Sequence, residues 1–250
     1  GGAVDVRAEI RGEIEGRSSH MLAVKKDVEV QGPFVEELAE EVRALDIENG
    51  SMEDLVAFVS WLDHELDFLV DENAVLKHFD WPHDKADALR EAAAEYRVLR
   101  NLEGEVKAFE LEQGMKPEQR LAVIEKFFDK ADSKVTEKAK ERDSLLPKYK
   151  KHKIPTTWLQ DSGAVGDVKH ATIRLARMFC QTIFTVSEGM QSGDSGKEEE
   201  MNREFLVMQG VKFAFRVHQF AGGFDNETLE AFEKLRLLAS APGGGSPAAK

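Results

Sequence analysis

The 250 residues are 42% hydrophobic and 32% charged, with a formal net charge of -13, a balance that suits a folded chain with a core and a charged surface and argues against disorder. The negative field excludes a nucleic-acid binder with a basic stripe as the first reading, opposes an anionic membrane surface, and leaves an acidic partner to be met by a local basic patch. Cys180, the single cysteine, predicts a reducing compartment, and neither a membrane-length apolar run nor a signal-peptide pattern is present.

Glu, Ala, Leu and Lys dominate the composition, so helix is expected along most of the chain. The opening Gly1-Gly2 reads as an expression remnant, with any membrane attachment coming from segments outside this chain. Val6, Ile10, Ile14, Arg17, Met21, Val24 and Val28 then step by three or four residues. This is a narrow helical stripe close to heptad spacing, of the kind that pairs with a second chain or packs on its own domain. Val6, Ile10, Ile14, Met21, Val24 and Val28 are therefore candidate dimer contacts. Gly32-Pro33 predicts a kink or break, after which helix resumes from Phe34 to about Leu45 and ends at Asn49-Gly50.

Ser51 ahead of Met52-Glu53-Asp54 is a helix-capping signal with acids in the first turn. Leu55, Phe58, Val59, Leu62, Leu66 and Leu69 form a wide apolar face, and the helix is expected to continue to about Phe79, with Trp61 in the core. Asp80-Trp81-Pro82 reads as a turn. The next helix is expected over 83–112 with Ala86, Leu89, Ala93, Tyr96, Leu99, Leu102 and Val106 inward, stopped by Gly114. Leu121, Ile124, Phe127, Phe128, Ala131 and Val135 mark another, running to Lys150 through Pro147. A short irregular segment holds Trp158. One helix is then expected over 165–187, a mobile loop over 191–196, a helix over 197–221 broken by Gly222-Gly223, and a last helix capped by Asp225 and running to about Ala239. The fold class is all-α, an elongated multi-helix bundle. The expected division is an N-terminal helical segment over 1–50, a core domain over 51–240 and a disordered tail over 241–250.

No phosphate-binding glycine loop, nucleophile elbow or zinc-protease helix motif occurs. His64-Glu65, His78, Asp80 and His83-Asp84 lie close in sequence without metal-ligand spacing and read as capping and surface groups. Cys180 among Phe179, Ile183 and Phe184 reads as a buried structural thiol. No catalytic residue, metal or cofactor is assigned. Two stretches stand out chemically. Lys148, Lys150, Lys151 and Lys153 concentrate cations in an acidic chain, either as a solvated helix end or as a docking patch. The run from Gln209 to Phe224 puts Val211 and Phe215 on one helical face and Phe213, Val217 and Phe220 on another. Such a helix is expected to be central, with Phe215 buried, and Lys212 and Arg216, one turn apart, either project together or pair with carboxylates at the core edge.

Several longer runs carry a resemblance. Phe58-Val59-Ser60-Trp61-Leu62-Asp63, Leu69-Val70-Asp71-Glu72, Ala74-Val75-Leu76-Lys77-His78-Phe79-Asp80-Trp81-Pro82 and Lys85-Ala86-Asp87-Ala88-Leu89-Arg90-Glu91 resemble the plant chloroplast unusual positioning protein family. So do Gly12-Glu13-Ile14-Glu15, Leu22-Ala23-Val24-Lys25, Asn202-Arg203-Glu204-Phe205-Leu206 and the run from Gln209 to Asp225. The resemblance implies a C-terminal domain that is formin-like in shape and promotes actin polymerisation at the cytosolic face of the chloroplast outer envelope, for chloroplast movement and anchoring. The chain lacks the Gly-Asn-x-Met-Asn signature of true formins, so no formin contact residue carries over. Actin is the implied partner, with profilin engaged through regions outside this chain, and a homodimer is expected. Candidate actin contacts are the cations Lys77, Lys85, Arg90, Lys148, Lys150, Lys151, Lys212 and Arg216. A related plant subfamily associates with microtubules, which makes a passive adaptor the alternative.

Overall fold

Long helical periods separated by short capped turns build the molecule. In a computed structural model, residues 2–190 and 197–240 are described, with side chains from 6 to 187 and from 200 to 240. Among them the elements are α1 (Gly2–Ala44), α2 (Met52–Leu66), α3 (Glu72–Leu76), α4 (His83–Ala108) and α5 (Pro117–Lys151), followed by a 3-10 turn (Thr157–Leu159). Then come α6 (Ala164–Ala171), α7 (Ile173–Met190), α8 (Lys197–Ala221) and α9 (Asn226–Ser240). No strand occurs among the described residues, and the fold is an all-α multi-helix bundle. The loop expected over 191–196 and the tail expected over 241–250 lie outside the described residues.

The chain divides into two compact units, residues 1–95 with 146–156, and residues 96–145 with 157 onward. The boundary expected at residue 50 falls inside the first of these units. In the first unit α1 packs on α3, and the Ile47 N–H donates to the Lys153 carbonyl at 3.2 Å, so the N-terminal segment is part of a core rather than an appendage. Val35, Leu38 and Val42 of α1 are buried with Leu55, Val59, Leu62 and Leu66 of α2 and Val75 and Leu76 of α3. Ala86, Leu89, Ala92 and Ala93 of α4 and Tyr149 and Ile154 near the end of α5 are buried in the same unit.

Three expectations about helix boundaries fail for identifiable reasons. α1 runs unbroken through Pro33. The Pro33 ring is exposed, so the carbonyl it deprives of a partner faces water, while Gly32 is buried with Phe79 at the distance a Cβ would find in contact, 3.4 Å. α2 begins as expected, with a Ser51–Asp54 capping box, but stops at Leu66 rather than Phe79. The Asp71 carboxylate takes the Ala74 N–H at 2.9 Å, which starts α3 as a separate helix. The single helix expected over 165–187 is two, interrupted at Thr172, whose hydroxyl donates to the Lys169 carbonyl at 2.6 Å.

In the second unit, Tyr96, Leu99, Leu102 and Val106 of α4 are buried, as are Leu121, Ile124, Phe128, Ala131 and Val135 of α5. Trp158 meets Tyr96 edge-on at 6.0 Å between centroids. α7, α8 and α9 pack against one another. Phe213 of α8 stacks on Phe179 of α7 at 4.2 Å and meets Phe128 of α5 edge-on at 5.5 Å, the aromatic centre of this unit. Gly222 and Gly223 take φ of 76° and 144°, and the Asp225 carboxylate accepts the Thr228 N–H at 2.8 Å, so α8 ends and α9 starts as the residues predict.

Two core assignments are corrected. Trp61 is 40% exposed and Phe215 is 52% exposed. Each lies on a helix whose other side, Leu55–Val59–Leu62–Leu66 in α2 and Gly210–Phe213–Ala214–Val217 in α8, already fills the interior.

Candidate protein-interaction site

The first half of α1 presents an apolar seam with nothing against it among the described residues. Val6, Ile10, Ile14 and Met21 are all more than half exposed, and every side chain from 6 to 22 is exposed. From Ile10 onward the seam follows one heptad register, through Ile14, Arg17, Met21, Val24 and Val28 to Val35, Leu38 and Val42. The second half of that register is consumed within the unit: Val24 is buried and Val28 half-buried, so these two of the six dimer candidates are already occupied. The changeover is pinned by His20, 3.2 Å from Asp71, and by the Val70 N–H, which donates to the Asp27 carboxylate at 2.7 Å. Arg17 interrupts the open half, 3.7 Å from Glu13, with both side chains solvated.

Most of the candidate cations are engaged inside their own units. Arg216 bonds Asp129 at 2.6 Å and Asp132 at 3.0 Å and lies 4.8 Å from the Phe128 ring centroid. Partial burial opposes its charge, but the bonds to Asp132 and Asp129 prevail and hold the guanidinium pKa above its ordinary value. Arg90 bonds Asp63 at 2.7 Å and pairs with Glu72 at 2.8 Å, again raised in pKa with the two carboxylates outweighing burial. Lys85 donates to the carbonyls of Arg43 and Leu45 at 2.9 and 2.6 Å, satisfying the open end of α1, and burial lowers its pKa. Lys148 pairs with Glu91, Lys153 with Asp46, and Lys151 lies 3.9 Å from Asp84. The lysine cluster thus ties the end of α5 and the residues after it to α4 and to the turn after α1 within the first unit, and of the two roles open to Arg216 the structure has the pairing with nearby carboxylates. Lys77, Lys150, Lys151, Lys212 and Arg216 are exposed, Lys151 and Arg216 with carboxylates beside them.

One surface escaped the sequence reading. Met201, Phe205, Met208 and Phe215 are exposed along α8, with Lys212 in the same row. Their spacing of four, three and seven residues is the signal that could have found it, since the helix has two apolar faces and only one is needed by the core. A groove of about 680 Å³ beside Arg216 is lined by the carboxylates Asp129, Asp132, Glu137 and Glu141 against Lys140 and Arg216, a net acidic surface. Cys180 is buried, and burial pushes its thiol pKa up to about 12. Among the described residues no cluster of His, Cys, Asp and Glu could hold a metal, and no helix is long and apolar enough to cross a membrane.

An Arabidopsis thaliana relative, the uncharacterized protein At4g04980, is 26% identical over 224 residues, spanning 87% of this chain and 30% of its own length. The chain therefore corresponds to less than a third of that relative. The model of the IPGAL1-like, C-terminal domain family matches residues 89–247, which take in most of α4 and all of α5 to α9. With more than half its length in that match, the chain belongs to the IPGAL1-like C-terminal domain family, a plant family.

Proposed function

We propose that this domain is a dimerising protein-binding module that promotes actin filament nucleation or polymerisation at the cytosolic face of the chloroplast outer envelope, acting by positioning subunits and not by covalent chemistry. The supporting observation is the open seam of Val6, Ile10, Ile14 and Met21, an apolar heptad face long enough for about four helical turns. Two copies joined there would carry every partner-binding face twice. Holding two actin subunits on one particle raises their effective concentration and bypasses the unfavourable nucleus. The actin assignment comes from the resemblance of residues 58–93 and 202–225 to chloroplast unusual positioning proteins. Profilin would act through segments outside this chain, and no cofactor is required.

A passive adaptor, linking chloroplasts to actin or microtubules made elsewhere, is the second reading. It is favoured by the internal engagement of Lys85, Arg90, Lys148 and Arg216, which leaves fewer cations for an acidic filament. A time course of labelled-actin assembly with the chain, with and without profilin, run beside filament co-sedimentation, separates the two. A shortened lag that disappears in Ile10→Glu/Ile14→Glu supports nucleation. Co-sedimentation without acceleration supports the adaptor, and neither effect on actin removes both actin readings.

A further inference from the structure

A groove of about 370 Å³ runs between α1 and α2, within the first unit, lined by Phe34, Glu37, Leu38, Glu41, Trp61 and Glu65. Its floor is apolar, with Leu38 buried and Phe34 half-buried. Trp61 stands at its edge, 40% exposed, held in place by the Phe58 ring at 5.5 Å. The rim carries three carboxylates, Glu37 and Glu41 one turn apart on α1 and Glu65 one turn beyond Trp61 on α2. Among the described residues none of these three has a cationic partner, although carboxylates elsewhere in the same unit, such as Asp63, Glu72 and Glu91, are paired. An exposed indole between unpaired carboxylates is a receptor for a guanidinium or ammonium group.

We propose that this groove binds an extended basic segment of a partner protein, with one arginine or lysine seated on Trp61. The spacing favours a peptide over a lone cation. Four residues of helix advance about 6 Å, and alternate residues of an extended chain lie about 6.6 Å apart on one face. A segment with basic residues at alternate positions therefore meets Glu37 and Glu41 in register while a neighbouring cation reaches Trp61 and Glu65. Acidic partners and phosphate backbones are repelled by the same rim. This surface is separate from the open half of the α1 seam, shares none of Val6, Ile10, Ile14 and Met21, and stands or falls independently of the actin reading.

Trp61 supplies the probe. The other two tryptophans, Trp81 and Trp158, are buried, so a change in indole emission on adding a peptide reports Trp61. The peptide Gly-Arg-Ser-Arg-Ser-Arg-Gly is titrated into the 250-residue chain beside Gly-Glu-Ser-Glu-Ser-Glu-Gly, Gly-Arg-Arg-Arg-Ser-Ser-Gly and free arginine. Saturable quenching by the alternating basic peptide alone is expected. Glu37→Gln/Glu41→Gln should weaken it roughly fivefold or more, and Trp61→Leu, read by peptide fluorescence anisotropy, roughly threefold, as exposed ion pairs and a cation–π contact predict. Glu9→Gln/Glu15→Gln removes the same net charge from the first half of α1, at least about 30 Å along the helix from Glu37, and should leave affinity unchanged. An equal loss in that control, equal binding of the clustered-arginine peptide, or equal affinity for free arginine would each overturn the proposal, the last by reducing the groove to a small-cation site.

Discussion

Replacing Ile10 and Ile14 by glutamate should abolish self-association, and the size of the effect follows from exposure. Fully burying a Val, Ile or Met side chain is worth about 1.5–3 kcal/mol. Val6, Ile10, Ile14 and Met21 are between 51% and 60% exposed, so a partner can add about 1 kcal/mol at each, or about 8 kcal/mol over two copies. Leu22, 68% exposed beside the seam, adds to this. Set against an association cost of at least about 4 kcal/mol, the net is about 4–6 kcal/mol, a dissociation constant on the order of 0.1 mM. The double variant removes two such contributions from each copy, about 4 kcal/mol, and so weakens the dimer about a thousandfold before the repulsion of the added carboxylates is considered. Arg17 gives the opposite sign. It occupies a seam position in the open half, where a charge lowers stability. Arg17→Leu should tighten the dimer about tenfold or more. Sedimentation equilibrium over a wide concentration range reads all three chains. A dimer that survives in Ile10→Glu/Ile14→Glu would place the contact elsewhere. A chain that stays monomeric at high concentration, with Arg17→Leu monomeric too, would remove the seam altogether.

Three further outcomes test the packing. Gly104 has open space where a Cβ would go, so Gly104→Ala should stabilise by about 0.5–1 kcal/mol through helix propensity alone. A Cβ at Gly210 would sit 2.8 Å from Leu235 Cδ2 and closer still to Ile183 Cδ1, both buried, so Gly210→Ala should lose about 0–2 kcal/mol once overpacking opposes the same propensity gain. Urea midpoints moving together in the two variants would show that the α7–α8–α9 contact is looser than described. Trp158→Ala, at a buried position, should cost about 3–5 kcal/mol, against less than about 1 kcal/mol for the exposed Trp61→Ala; equal costs in chemical denaturation would reverse the face assignment of α2. Finally, the folded chain keeps the Cys180 proton until about pH 12, whereas the unfolded chain gives it up near pH 9. Stability should therefore fall as pH rises across that window, by roughly 1 kcal/mol at pH 10. The slope difference between the natural chain and Cys180→Ala isolates this contribution, and identical slopes would mean that the thiol is accessible in the folded state.

The helices themselves were largely legible, because periodicity of 3.6 reports which residues share a face, and Ser51, Gly222 and Asp225 mark ends by local chemistry, whereas α4 ends at Ala108, short of the Gly114 stop expected for it. What periodicity cannot report is competition. Asp71 and Thr172 sit inside apolar periods that read as continuous, yet each side chain bonds to backbone at short range and divides the period in two. Pro33 has the reverse effect: an exposed ring on a helix whose next turns bury Val35, Leu38 and Val42 on one face costs less than unpacking that face.

The candidate site was less legible than the fold, for the same reason carried one level up. A row of apolar residues specifies that something must cover it but not whether the cover is the chain's own core. In α1 a single register supplies both answers, with Val35, Leu38 and Val42 buried and Ile10, Ile14 and Met21 open. In α8 two rows lie on one helix, and the row containing Phe213 and Val217 fills the interior while the row containing Phe205 and Phe215 does not. Cations pose the equivalent choice. In a chain of net charge -13 an arginine finds carboxylates nearby in its own fold, so Arg90 and Arg216 brace helices where isolated residue chemistry suggested docking. The groups left over are therefore the informative ones: the apolar seam of α1, the outer row of α8, and the carboxylates around Trp61. Each is a surface left uncovered among the described residues, and each is of the kind the proposed protein-positioning role would use.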